Sequence, residues 1–316
     1  MRIAIKMLTV LLLLTTTIFA LSDKELAITI DLSGKQRMLT QKMAKEAFLI
    51  KSNIDKKTNI KKLTQSSKLF DKTLNGLLVG DKELELVALK DDKIEKQLKK
   101  VVSIWEPFYK EIKNILNNKS SEKSYTTICD KNSELLKEIN LVFKYYILQQ
   151  KKSNFVLTND MNLAEKQKIL LQKMEKALLI SNNGIKTQEH KDEFLNSQKL
   201  FTKILKGLLE GNDSLKLRGV NLPEIKKQLR VVEQLWNKEQ KNLQNALSNK
   251  SPLKAIDALE NVSIEMDKSV KLYTASFNRQ QQRDEFASLI NIHTSLEKMD
   301  SETKFLLEKL AKAETE

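Results

Sequence analysis

An all-helical protein built of two tandem antiparallel four-helix bundles is what this sequence predicts, and three observations carry that reading. Residues 31–105 reappear at 162–236 with one constant offset of 131. Seven glycines and three prolines in 316 residues leave few places to turn, and almost all fall at matching points of the two copies. Between those points the apolar residues recur at spacings of three and four, the period of an amphipathic helix.

The repeat is dense. Lys35, Gln36, Leu39, Gln41, Lys42, Met43 and Lys45 return as Lys166, Gln167, Leu170, Gln172, Lys173, Met174 and Lys176. Phe70, Gly76, Leu77, Leu78 and Gly80 return as Phe201, Gly207, Leu208, Leu209 and Gly211, and Ile94, Leu98, Val101 and Trp105 as Ile225, Leu229, Val232 and Trp236. No insertion is needed anywhere between, and a unit this long is a domain rather than a solenoid repeat.

The chain opens with Arg2 and Lys6, an uncharged stretch from Met7 to Leu21, and the small residues Ala20 and Ser22 ahead of Asp23. An apolar core of about 15 residues is short of the roughly 20 that span a bilayer and fits an export signal over residues 1–22. The expected location is periplasmic, with an uncleaved inner-membrane anchor as the alternative. Copy one is then expected at 23–150 and copy two at 151–285.

In copy one a first helix is predicted from about Asp23 to Ile54, and a second from about Lys61 to Val79, stopped by Gly80 as Gly211 stops its twin. Asp91 or Asp92 caps the third, whose twin begins near Pro223, an acceptable first-turn residue. Pro107 is expected to kink or end that third helix just beyond Trp105. The fourth helices open at Ser120 or Ser121 and at Ser251-Pro252. Neither Gly nor Pro occurs between Lys131 and Asn183, so helix four of copy one is expected to flow into helix one of copy two as a continuous helix. A hinge around Ser153 to Asn162 is the other outcome. Residues 286–316 form a charged amphipathic helix outside the repeat, with Leu289, Ile292, Leu296, Met299, Leu306 and Leu310 on one stripe, free to cap the bundle, extend as a coiled coil or fray.

Composition narrows function. A net charge of +14 suggests nucleic acid, yet six of the 55 basic residues are Arg, the lysines scatter over every helix, and no nucleic-acid motif accompanies them. Solvated helix faces account for the charge, and no nucleic-acid partner is expected. Cys129 is the only cysteine, so no intramolecular disulfide can form. Its expected role is that of a small thiol without redox function. His190 and His293 have no partners at ligand spacing, and no catalytic motif is present, so no catalytic residue, metal or cofactor is expected. Trp105 and Trp236 sit on apolar stripes and are expected in the cores.

The most specific stretch is Ile30-Asp31-Leu32-Ser33-Gly34-Lys35-Gln36-Arg37-Met38-Leu39-Thr40-Gln41-Lys42-Met43-Ala44. It resembles the opening helix of the PilJ-type domain, the N-terminal sensory domain of type IV pili methyl-accepting chemotaxis transducers. It is also similar to the P-box helix of nitrate/nitrite sensor kinases, where Asn-x-x-Gly-x-x-Arg-Met leads an antiparallel periplasmic four-helix bundle. Copy two carries a degenerate version, Asn162 to Leu170. The resemblance implies that Arg37 contacts an anion at a subunit interface. It implies no ligand identity, because the sequence departs from the nitrate-sensor pattern after Met38.

Two stripes on helix one fare differently in the repeat. Leu32, Gln36, Leu39 and Met43 return unchanged in type and read as core. Ser33, Arg37, Thr40 and Ala44 become Ala164, Lys168, Leu171 and Glu175, which one ligand site per chain would produce, as would drift on a solvated face. Gly34, replaced by Glu165, is expected to admit another backbone. The candidate ligand-binding residues are therefore Ser33, Gly34, Arg37, Thr40 and Gln41, for a small anionic or polar ligand. The expected function is a non-enzymatic sensory or ligand-binding protein that passes its state to a membrane signalling or pilus-related partner. A structural or interaction rod of the cell envelope without small ligand is the second class. Because the resembling sensors pair two chains through helix one, a homodimer or an intrachain pseudo-dimer is expected.

Overall fold

The computed structural model describes residues 21–149, 158–248 and 252–313. The expected export signal lies outside the described residues except for Leu21 and Ser22. Eight α-helices are formed among the described residues: α1 Asp23–Lys51, α2 Lys56–Val79, α3 Asp92–Leu116, α4 Glu122–Gln149, α5 Asn159–Asn182, α6 Thr187–Glu210, α7 Pro223–Ser248 and α8 Leu253–Ala313.

Local chemistry sets most of the boundaries. Ser22 and Glu25 form a capping box at α1, the Glu25 amide donating to Ser22 Oγ and the Ser22 amide to Glu25 Oε2. Asp91 caps α3 by accepting from the Lys93 and Ile94 amides at 3.0 Å each. The turn after the second helix is built alike in both copies. Gly80 and Gly211 take φ of +88° and +95°, and single bridges join Asp81 to Leu86 and Asn212 to Leu217. Leu86 and Leu217 fold back so closely that a Cβ at Gly76 or Gly207 would stand 2.8 Å from their Cδ1 atoms. That contact requires glycine one turn before each helix end.

Each bundle buries a core, and that of copy one also takes in Leu179, Ile180 and Ile256 of copy two. Phe70 and Trp105 pack with ring centroids 4.3 Å apart, as do Phe201 and Trp236. The indole N–H of Trp105 donates to Asp71, and that of Trp236 to Thr202 at the equivalent position. Gln36 and Gln167, buried on the unchanged stripe, donate to the carbonyls of Phe70 and Phe201, which answers for a polar side chain in the core.

One expectation is corrected and two are narrowed. The continuous helix between the copies is not formed: α4 is described to Gln149, and Thr158 has an extended backbone and caps a new helix by accepting from the Met161 amide. Copy two thereby lies beside copy one, with α1 packed along α5. Pro107 does not end α3, which continues to Leu116 with Phe108, Ile112 and Ile115 buried beyond it. Packing of those side chains outweighs the hydrogen bond that proline forfeits. Finally, the charged C-terminal segment is no separate helix, because α8 passes residue 286 unbroken.

The pairing of α1 with α5 is parallel and pseudo-symmetric. Asn183 donates to Ser52, residues exactly one repeat apart, at 3.0 Å. Helix four holds the same register in both copies, Gln97 bonding Glu138 as its twin Gln228 bonds Glu265, but at a sequence offset four residues smaller than the rest. By that register Tyr146 answers to Tyr273 and Phe143 to Val270.

Candidate functional site

Because α1 and α5 face each other, the stripe that differs between the copies lies in the seam and not in solvent. Ser33, Thr40 and Ala44 are fully buried, as are Ala164, Leu171 and Glu175. Drift on a solvated face is therefore not the origin of their divergence.

The five candidate residues separate into two groups. Ser33 and Thr40 turn their hydroxyls to their own helix, donating to the carbonyls of Ile30 and Gln36. Gln41 donates to Asn132 of α4 at 3.0 Å. Gly34 and Arg37 instead line a cavity of about 220 Å³ between the bundles. Its walls come from four helices: Ile30, Asp31 and Lys35 of α1, Phe143 of α4, Asn162 and Glu165 of α5, and Val270, Tyr273 and Phe277 of α8. Neither copy could build it alone.

Arg37 dominates the chemistry of that cavity. It is 7% exposed, and its guanidinium carbon sits 3.6 Å from the centroid of the Phe143 ring. Its Nε donates to the Gly34 carbonyl at 3.3 Å, and no carboxylate among the described residues forms an ion pair with it. Burial lowers its pKa to about 10, against a weaker opposing pull from Glu165. A desolvated cation with unused N–H donors beside a cavity has the chemistry to hold an anion, since the guanidinium fork can bond two oxygens at once. Tyr273 also lines it, with a buried hydroxyl that has no protein partner and no access to the cavity.

Gly34 serves differently from the expectation. A Cβ there would meet the Phe143 ring at 3.4 Å and an Arg37 terminal nitrogen at 3.6 Å. Its small size makes room for the stacked cation and ring, not for another backbone.

At the equivalent place in copy two, Lys168 donates to Asp267 at 2.8 Å, with Glu165 at 3.9 Å. That cation is already neutralised, and Val270 stands where Phe143 would stack.

Farther along the seam runs a buried polar chain that spacing did not reveal. Asn132 accepts from Gln41 and from Lys176 Nζ, and Lys176 also donates to Glu193 at 2.9 Å. Glu193 contacts His190 Nδ1 at 3.0 Å, and His190 Nε2 lies 3.1 Å from Cys129 Sγ. The partners of His190 are thus three residues away on one side and 61 on the other. Burial raises the Glu193 pKa, but the His190 hydrogen bond and the Lys176 and Lys173 charges outweigh it and hold it at about 2. The order thiol, imidazole, carboxylate resembles that of a nucleophilic site. Burial nevertheless pushes the Cys129 thiol up to about 11, and Cys129 and His190 are 4% and 3% exposed. The thiolate form needed for attack is disfavoured, and none of the three lines the inter-bundle cavity. The chain clamps copy two to α4. Lys45 and Glu175, buried 2.6 Å apart, join α1 to α5 beside it.

Among the described residues no helix is long and apolar enough to cross a membrane. The sequence pattern of one protein family, described as type IV pili methyl-accepting chemotaxis transducer N-terminal, matches residues 21–128 and 160–262. A search of curated proteins found no match.

Proposed function

The chain belongs to the family of type IV pili methyl-accepting chemotaxis transducer N-terminal domains, in two tandem copies, and from that membership we propose that it is an exported, non-enzymatic sensory protein. It binds one small ligand per chain in the cavity between its bundles and passes that state to a membrane signalling partner. The observation that carries the reading is Arg37, a buried cation with unused donors at a cavity formed by both copies, opposite a second copy whose equivalent Lys168 is already paired. Ligand there touches α1, α5 and α8 together, so binding favours one relative placement of the two bundles. Differential contact of that kind is what a sensor needs to shift a conformational equilibrium. Ser33, Thr40 and Gln41 support the seam behind Arg37.

The test is a thermal melt of the purified chain against a panel of small anions and carboxylates. A ligand at about 100 times its Kd stabilises the native state by roughly 2.7 kcal/mol, several degrees in Tm. Arg37→Ala should abolish the shift, and Lys168→Ala should preserve it. A panel that leaves the melt unmoved removes the sensory reading.

One observation favours a second reading, an interaction protein. Beyond the bundle, α8 carries Phe286, Leu289, Ile292, Leu296 and Met299 more than half exposed, an apolar stripe of the kind that docks to another protein. Deleting residues 286–316 should abolish partner capture under this reading while leaving any ligand response unchanged.

A further inference from the structure

We infer that the inter-bundle cavity takes a small zwitterion with an apolar side chain, a ligand of the α-amino-acid type; this rests on the reading of that cavity as a ligand site.

Volume argues first. A cavity of about 220 Å³ corresponds to roughly seven waters at about 30 Å³ each. An inorganic oxyanion of four or five heavy atoms would reach Arg37 and leave most of the space empty. The remaining walls are largely apolar, with Ile30, Val270 and Phe277 lining the space beside the Arg37–Phe143 stack. They suit an aliphatic or aromatic side chain, whose burial contributes about 25 cal/mol per Å².

Charge argues second. Four ionic groups line the cavity. Asp31 and Lys35 neutralise each other at 2.6 Å on the exposed rim. Arg37 has no ion-pair partner. Glu165 has its closest cation, Lys168, at 3.9 Å, and that lysine is committed to Asp267 at 2.8 Å. One unpaired cation and one loosely paired carboxylate therefore share the same space. A plain carboxylate ligand satisfies Arg37 and adds repulsion at Glu165; an amine does the reverse. A zwitterion satisfies both, its carboxylate accepting from the guanidinium and its ammonium donating to Glu165. Asn162 in the lining supplies a further hydrogen bond to either end.

The experiment measures binding to the purified full chain by calorimetry and thermal shift. The probes are L-leucine and L-phenylalanine, their N-acetyl and amide derivatives, and sodium nitrate. The free amino acids should raise Tm by several degrees, and each blocked derivative should bind at least tenfold more weakly. Glu165→Gln should weaken the amino acid at least tenfold and, by removing the repulsion, tighten the N-acetyl derivative, opposite changes that a folding defect cannot mimic. Arg37→Lys, which keeps the charge and loses the fork, should weaken the free amino acids and the N-acetyl derivatives together. Equal binding of blocked and free forms overturns the zwitterion. Nitrate binding through Arg37 without any amino-acid binding overturns the zwitterion and leaves the anion site standing. No binding by any probe overturns both.

Discussion

Arg37 and Lys168 occupy the same position of the repeat, on helices that face each other, yet their surroundings are opposite. Lys168 is tied to Asp267, while Arg37 is stacked on Phe143 and paired with no acid. Asp267 and Phe143 both come from the fourth helices, α8 and α4, which make the same Gln–Glu bond in both copies and so hold the same place in each bundle. In that register Asp267 answers to Asn140 and Val270 to Phe143, and these exchanges have broken the symmetry of a duplicated interface. The lesson is that duplication supplies a paired scaffold, and two substitutions on a facing helix are enough to leave one site open and close the other.

The seam itself offers the largest test of that comparison. Leu171 of α5 is fully buried where copy one has Thr40, also fully buried but hydrogen-bonded to its own backbone. Leu171→Ala should cost about 3 kcal/mol through transfer and cavity terms, and Thr40→Ala only about 1 kcal/mol. Denaturant melts of the two variants measure the difference. Equal costs would mean that the two sides of the seam are packed alike.

A second contrast is electrostatic. Glu46 of α1 is buried beside Ser66 and Lys42, and its twin is Ala177. Burial raises the Glu46 pKa to about 7, with Lys42 and the Ser66 hydrogen bond opposing. A carboxyl whose folded pKa stands above its unfolded value near 4.5 holds more protons folded than unfolded. Stability therefore falls as pH rises from about 4.5 through about 7. Glu46→Gln removes that cost, so it should be more stable than the parent by about 3 kcal/mol at pH 8 and indistinguishable near pH 4. Parallel melts across that range check it, and a pH-independent difference would contradict the assignment.

The third test takes away the pairing that copy two enjoys. Asp267→Asn leaves Lys168 with Glu165 at 3.9 Å, and because Asp267 is about a third exposed the loss should be about 1 kcal/mol. Binding at Arg37 should weaken as well, because Glu165 would then turn toward Lys168. Retained affinity would show that the two cations are not coupled through Glu165.

Much of the fold could be read from residues alone. The repeat, the glycine stops, the Asp91 cap and the apolar stripes all act within one or two turns of helix, where spacing determines what meets what. The placement of the copies could be read only as one of two pairings that the resemblance implies, and the structure forms the intrachain one. A stripe of Ser33, Arg37, Thr40 and Ala44 looks the same whether it faces water or another helix with small residues. The continuous rod was expected because Lys131 to Asn183 holds no helix breaker, and yet Thr158 caps a new helix there. His190 seemed isolated because its contact to Cys129 spans 61 residues. Of the candidate site, Gly34 and Arg37 were legible through the family motif. Phe143, Glu165 and Tyr273 were not, since they arrive from other helices and only the fold brings them in.

The smallest effect concerns Gly34, where copy two has Glu165. Alanine in a helix interior is favoured over glycine by about 1 kcal/mol. Against that gain, the new Cβ would stand 3.4 Å from the Phe143 ring, at the inner edge of ordinary van der Waals contact, so any adjustment of the ring is small. Phe143 is itself pressed on the Arg37 guanidinium, so the adjustment is transmitted to the cation. The two terms should leave the unliganded Tm within about 0.5 kcal/mol of the parent, while ligand affinity drops several-fold. The same exchange in copy two, Glu165→Ala, removes a carboxylate from the cavity and should also weaken a zwitterion without touching the stack. If Gly34→Ala gains the full helix-propensity increment and binds ligand as the parent does, the ring has room to spare. The stacked Arg37 would then owe its position to the seam and not to the missing side chain.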